Sequence, residues 1–105
     1  MADPVVTDIP EWSWVQVASS VQLGKVSLID GESVQRLRYF QTYRDAGNAA
    51  PAAVVQGTIP EEAVEMFLDG ENQEQISSPL PIDVYVMCAN DDTNNSETGK
   101  VRVDL

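Results

Sequence analysis

The stretch Ile82-Asp83-Val84-Tyr85-Val86-Met87-Cys88-Ala89 constrains the fold more than any other part of this chain. Read with the period of two of an extended strand, Ile82, Val84, Val86 and Cys88 form an all-apolar face. The opposite face, Asp83, Tyr85, Met87 and Ala89, is nearly apolar as well. Such a strand has no face to give to water, so it belongs in a central or interface position. A polar loop over 90–98 leads to a second strand over 99–105, which is cleanly two-faced. There Val101, Val103 and Leu105 face inward, and Lys100, Arg102 and Asp104 face out. The two strands read as a closing hairpin. A terminus inside a strand frays unless it is held, so Leu105 is expected to be a pinned core residue.

The rest of the chain is also strand-like. Residues 11–18 alternate, with Trp12 and Trp14 on one face and Val15 and Val17 on the other. Residues 25–29 form a short apolar run ending at Asp30-Gly31, a dipeptide that favours a two-residue hairpin turn. A return strand is expected from about Val34 to Arg44. In it Leu37, Tyr39 and Tyr43 point one way, and Arg36, Arg38, Thr42 and Arg44 the other, with Phe40 on the arginine face. Residues 45–51 are a turn-rich connector, and Val54-Val55 marks a short strand. Over 60–68 two patterns compete. Pro60, Glu61-Glu62, the apolar spacing of Ala63, Met66 and Phe67, and Gly70 suit a short helix. Val64, Met66 and Leu68 alternate as a strand, and Asp69-Gly70 repeats the hairpin signal. A further strand over 71–77 ends at Ser78-Pro79-Leu80-Pro81, which breaks the chain before the last hairpin. Five to seven short strands with turn signals between them predict a mainly β fold. The expected form is a small antiparallel β-sandwich or barrel-like module, with one short helix near 60–68 as the alternative to a strand there. At 105 residues it is expected to be a single domain, 1–105, with residues 1–10 as an extended N-terminal arm.

The residue inventory narrows function by exclusion. With no histidine there is no imidazole base or ligand, so a Ser-His-Asp triad cannot be assembled within the chain. The single thiol, Cys88, allows no internal disulfide and sits in an apolar run, as a buried small hydrophobe does. No glycine-rich phosphate loop or dinucleotide fingerprint occurs. The adjacent acid pairs Glu61-Glu62 and Asp91-Asp92 point to opposite faces if extended, the wrong geometry for carboxylates sharing one bond. Asp92, Asn94, Ser96 and Glu97 are spaced as calcium ligands can be. The loop lacks the central glycine and the twelfth-position glutamate of an EF-hand and reads as a solvated tip. No enzymatic activity, cofactor or metal is expected. Nor is a membrane span or a signal peptide: no apolar run is long enough for the first, and the start is acidic where the second needs basic residues.

The charge is lopsided. Seventeen acidic residues against six basic ones give −11. Residues 1–52 hold four basic and six acidic residues, net −2, and residues 53–105 hold two and eleven, net −9. Such a field repels nucleic acid. The one basic row, Arg36, Arg38 and Arg44, is interleaved with Tyr39, Phe40 and Tyr43. Arginine and aromatic residues are favoured at protein interfaces. The row is therefore read as pairing with the protein's own acids or with an acidic neighbour in a homo-oligomer. Trp12, Trp14, Arg36, Arg38, Phe40 and Arg44 are the interface candidates.

The stretches Tyr39-Phe40-Gln41-Thr42-Tyr43-Arg44-Asp45-Ala46-Gly47-Asn48-Ala49-Ala50-Pro51 and Ile82-Asp83-Val84-Tyr85-Val86, with the ending Gly99-Lys100-Val101-Arg102-Val103-Asp104-Leu105, resemble small proteins encoded among the structural genes of tailed bacteriophages. The resemblance implies a β-rich, non-enzymatic virion component that works as a multimer. A capsid decoration or cement protein is the first expectation, and a tail or adaptor subunit the second. Its partners would be other virion proteins, and it would be made in the host cytoplasm. Two other readings compete. One is an acidic inhibitor that mimics nucleic acid. The other is a sugar-binding module with Trp12 and Trp14 as stacking platforms.

Overall fold

A computed structural model describes residues 4–29, 37–67, 73–90 and 98–105. Its elements are β1 (Val5–Pro10), β2 (Val15–Leu28), β3 (Leu37–Asp45), β4 (Val64–Met66), β5 (Gln73–Asn90) and β6 (Thr98–Asp104). They form one antiparallel sheet in the order β1-β6-β2-β5-β3-β4. The fold is a small mainly β module, as the alternating pattern predicts.

β5 organises the sheet. It pairs with β2 along one edge and, over 82–90, with β3 along the other. Residues 82–89 are all buried. Ile82, Val84, Val86 and Cys88 enter the main core with Ile9, Val26, Val101 and Val103. Met87 and Ala89 enter a second cluster with Phe40 on the opposite face. The strand with two apolar faces is thus central and covered on both sides.

The expected hairpin pairings do not form. β2 and β3 flank the Asp30-Gly31 signal, but β5 lies between them. β6 pairs with β1 and β2, not with β5. β4 pairs with β3 and not with the strand after Asp69-Gly70. Both Asp-Gly turns lie outside the described residues. The physical reason is burial. A strand apolar on both faces gains most where two long strands flank it, and that outweighs the short loops favouring sequence neighbours.

Around the main core the sheet curls back on itself. β1 lies along β6, its Asp8 facing Lys100 across the ladder with the charges 3.9 Å apart. Just past β1, Glu11 bridges to Cys88 of β5, and the Trp12 amide donates to the Cys88 carbonyl at 2.9 Å. The Cys88 thiol donates to the Ile9 carbonyl at 3.2 Å. Inside the curl Tyr39 packs so closely on Gly99 that a Cβ there would stand 2.5 Å from its hydroxyl. Most of the extended arm expected over 1–10 is therefore β1, lying on its own chain.

Several boundaries differ from the sequence pattern. The strand expected over 11–18 begins at Val15, because Trp12 takes a positive φ of 57° and turns the chain. Val54-Val55 is not a strand; Val54 packs on the second cluster and Val55 is exposed. No helix forms over the described part of 60–68. Pro60 to Ala63 is a turn closed by the Ala63 amide on the Pro60 carbonyl, and Val64–Met66 pairs with β3, sending Met66 into the main core. The helix signals there serve the turn, since proline and acidic residues suit both. The Ser78–Pro81 stretch bends β5 without ending it. Leu105 is 49% exposed and lies over Gly24, where a Cβ would stand 2.9 Å from it. The expectation of a pinned core residue is corrected: β6 buries Val101 and Val103, and its last ladder pair is Asp104 with Lys25.

Candidate functional site

The sequence-picked residues other than Arg36 gather on the outer face of β3 and β5. Alternation along β3 sends Leu37 and Tyr39 into the main core, and Arg38, Phe40, Thr42 and Arg44 to the other side. Phe40 is 3% exposed, packed with Met87 and Ala89. Trp12, Trp14, Val54 and Ala63 close over this cluster. The connector 46–63 thus folds back across the sheet and makes a second, smaller core. Both tryptophans are half-buried, and with Ser13 and residues 51–54 they line a shallow groove of about 240 Å³.

Two arginines fasten this layer. Arg44 grips Glu62 with two nitrogens, at 2.6 and 3.0 Å, and the buried Thr42 hydroxyl donates to the same carboxylate at 2.8 Å. Arg38 grips Glu65 of β4 with two bonds of 3.0 Å and lies 5.2 Å over the Phe40 ring. Bidentate pairing of this kind gives geometric specificity. Arg38 and Arg44 therefore pair with the protein's own acids, one of the two readings of the basic row. Arg36 lies outside the described residues, as do residues 91–97 of the acidic loop. Phe40 is closed to any partner while the connector is in place.

The pairs set the charge of their carboxylates. Hydrogen bonds from Arg44, then Thr42, hold Glu62 below the ordinary value of 4.5. Those from Arg38 do the same to Glu65. A carboxylate with a depressed folded-state pKa contributes stability above its unfolded pKa and loses it as pH falls through the folded one. The Glu62→Gln/Glu65→Gln double variant is expected to melt below the wild type at neutral pH. The gap should hold down to about pH 5 and close at lower pH. Thermal unfolding at about 0.15 M salt, where long-range repulsion is damped, measures it.

Sequence reading passed over two features. Asp83, on the outer face of β5, is 6% exposed and accepts the Ser20 amide at 2.9 Å and the Gly47 amide at 3.3 Å. It holds the β2 bulge, where Ser20 has a φ of 54°, to the turn after β3. Its one signal was a lone acid in an apolar run. The second is a cavity of about 190 Å³ between β3 and the bend of β5, lined by Gln41, Tyr43, Ile76, Ile82 and Val84 among others. No sequence pattern marks it, because its walls come from separate strands.

No family model, curated protein or solved structure matches this chain.

Proposed function

We propose that this chain is a non-enzymatic structural component of a bacteriophage virion, acting as a capsid decoration or cement protein. The observation that carries the reading is the open edge of the sheet. Among the described strands β1 has β6 as its one ladder neighbour, and its Val5 and Val6 are 58% and 56% exposed. An edge strand carrying exposed apolar side chains is a template for joining another chain. The acidic surface supports the same reading, since it keeps the subunit off the packaged genome. The mechanism is mass action: a subunit that binds only the assembled shell stabilises that shell by its affinity and concentration. A tail or adaptor subunit would use the same edge elsewhere in the particle.

Mass spectrometry of purified virions of the encoding phage tests the proposal. The protein is expected at a copy number that scales with a shell or tail subunit. Its absence from virions would falsify the reading. The acidic-inhibitor reading, motivated by the net −9 of residues 53–105, predicts instead a basic host protein retained on the immobilised chain at low salt.

A further inference from the structure

β5 makes a fork. It pairs with β2 over 73–77 and again over 82–86, and with β3 over 82–90. Along 73–77 the edge turned away from β2 has no ladder partner among the described strands. The cavity lies in the angle of this fork. Ile76, Ile82 and Val84, all buried, are on one side and Gln41 and Tyr43 on the other.

The fork is held open by construction. Between its two stretches of pairing with β2, β5 spends four residues, 78–81, where β2 spends one, Gln22. Pro79 and Pro81 fall in that excess and have no N–H to give a ladder. The bend is pinned from both sides. Gln22 donates to the Pro79 carbonyl at 2.8 Å, and the Ala46 amide to the Pro81 carbonyl at 3.1 Å. Ser78 closes it locally, its hydroxyl donating to the Leu80 carbonyl at 2.6 Å. A preformed gap of this kind spares a ligand the cost of opening one.

Three observations identify what fits. An unpaired strand edge beside side-chain pockets is the geometry of strand addition, in which main-chain bonds give affinity and a pocket gives specificity. The cavity, at about 190 Å³, is smaller than the roughly 300–1,000 Å³ of small-molecule sites and suits one aliphatic side chain. Tyr43 in its wall and Leu80 in the adjoining bend are 62% and 66% exposed. Apolar side chains gathered around a concave edge mark a protein contact. The lining residues carry no charge, but the chain as a whole carries −11, so its long-range field favours a cationic partner.

We infer that 73–77 is a docking edge for an extended, lysine- or arginine-bearing segment of a partner protein, which adds as a strand and seats one aliphatic side chain in the fork. The inference rests on the assembly reading for the source of that segment, a neighbouring virion protein, and not for its chemistry.

The test uses the isolated full chain, isotope-labelled, and three capped pentapeptides. Lys-Val-Thr-Val-Lys is expected to shift the backbone amide signals of 73–77 and to slow their exchange with solvent. Glu-Val-Thr-Val-Glu and the proline-blocked Lys-Pro-Thr-Pro-Lys are each expected to bind at least ~10-fold more weakly. Leu80→Lys, a change at an exposed side chain, should weaken the first peptide by a similar factor with its own fold intact, judged by unchanged signals in β1 and β6. Any of three results overturns the inference: no shifts at millimolar peptide, shifts confined to β1 or the Trp12–Trp14 groove, or equal binding of all three peptides. Detection of the protein in virions is independent of each of these, so the two proposals fail separately.

Discussion

Met87→Ala is expected to lower the unfolding free energy by about 2–5 kcal/mol, out of a total of about 5–15 kcal/mol for a domain of this kind. Met87 is fully buried, but not in the main core. It lies under Phe40, Trp12, Trp14 and Val54, where the connector 46–63 crosses the sheet. Truncation removes contact area and leaves a cavity that the short connector can only partly fill. The chain's two tryptophans both pack on this cluster, so intrinsic fluorescence reports on it. The emission should move to the red in the folded variant and return towards wild type in Met87→Leu, which conserves volume. A loss under ~0.5 kcal/mol with unmoved emission would mean that the connector does not cover this face.

The second large effect is at Asp83. Asp83→Ala strips the acceptor from two backbone donors, the Ser20 and Gly47 amides. The acceptor is buried, but Ser20 and Gly47 lie at exposed positions where water can take up the freed amides, so about 1–3 kcal/mol is expected. Part of that cost is conformational. Ser20 is a non-glycine residue at positive φ, a state that persists where its surroundings hold it. Asp83→Asn keeps one acceptor oxygen and should recover about half of the loss. Hydrogen exchange separates this role from general destabilisation. The Ser20 and Gly47 amides should exchange faster in Asp83→Ala than their neighbours do. Uniform acceleration along β2 and β3 would instead assign Asp83 a packing role only.

Met87 and Asp83 also show how far sequence reading reaches. The alternation over 82–89 shows that both faces of this strand need cover, and both have it. The alternation along β3 likewise places Arg38, Phe40, Thr42 and Arg44 together on one face. Phe40 in a row of arginines pointed to a contact on that face, and the contact is with the chain's own connector. Which residues cover that face was not legible. Val54, Ala63 and Glu62 come from a segment with no regular period, and they reach Phe40, Met87 and Arg44 only after the connector has folded back. Asp83 was legible as an acid in an apolar run but not as an acceptor, since its donors lie 63 and 36 residues away.

Strand pairing divides in the same way. Each strand's faces follow from local alternation, because the period of two belongs to the backbone itself. The Asp-Gly signals favour pairing between sequence neighbours, and neither such pair forms. A turn signal is a local conformational preference of two residues. Burying the second face of β5 brings together several large side chains, each contributing about 1.5–3 kcal/mol. The sequence by itself therefore determined a mainly β chain with a doubly buried central strand and an arginine-bearing face. Only the tertiary structure decided which strands flank that centre, which acids the arginines hold, and where the open edge and the fork lie. Each of those is a contact between segments far apart in the chain, set by how the whole apolar surface is buried at once.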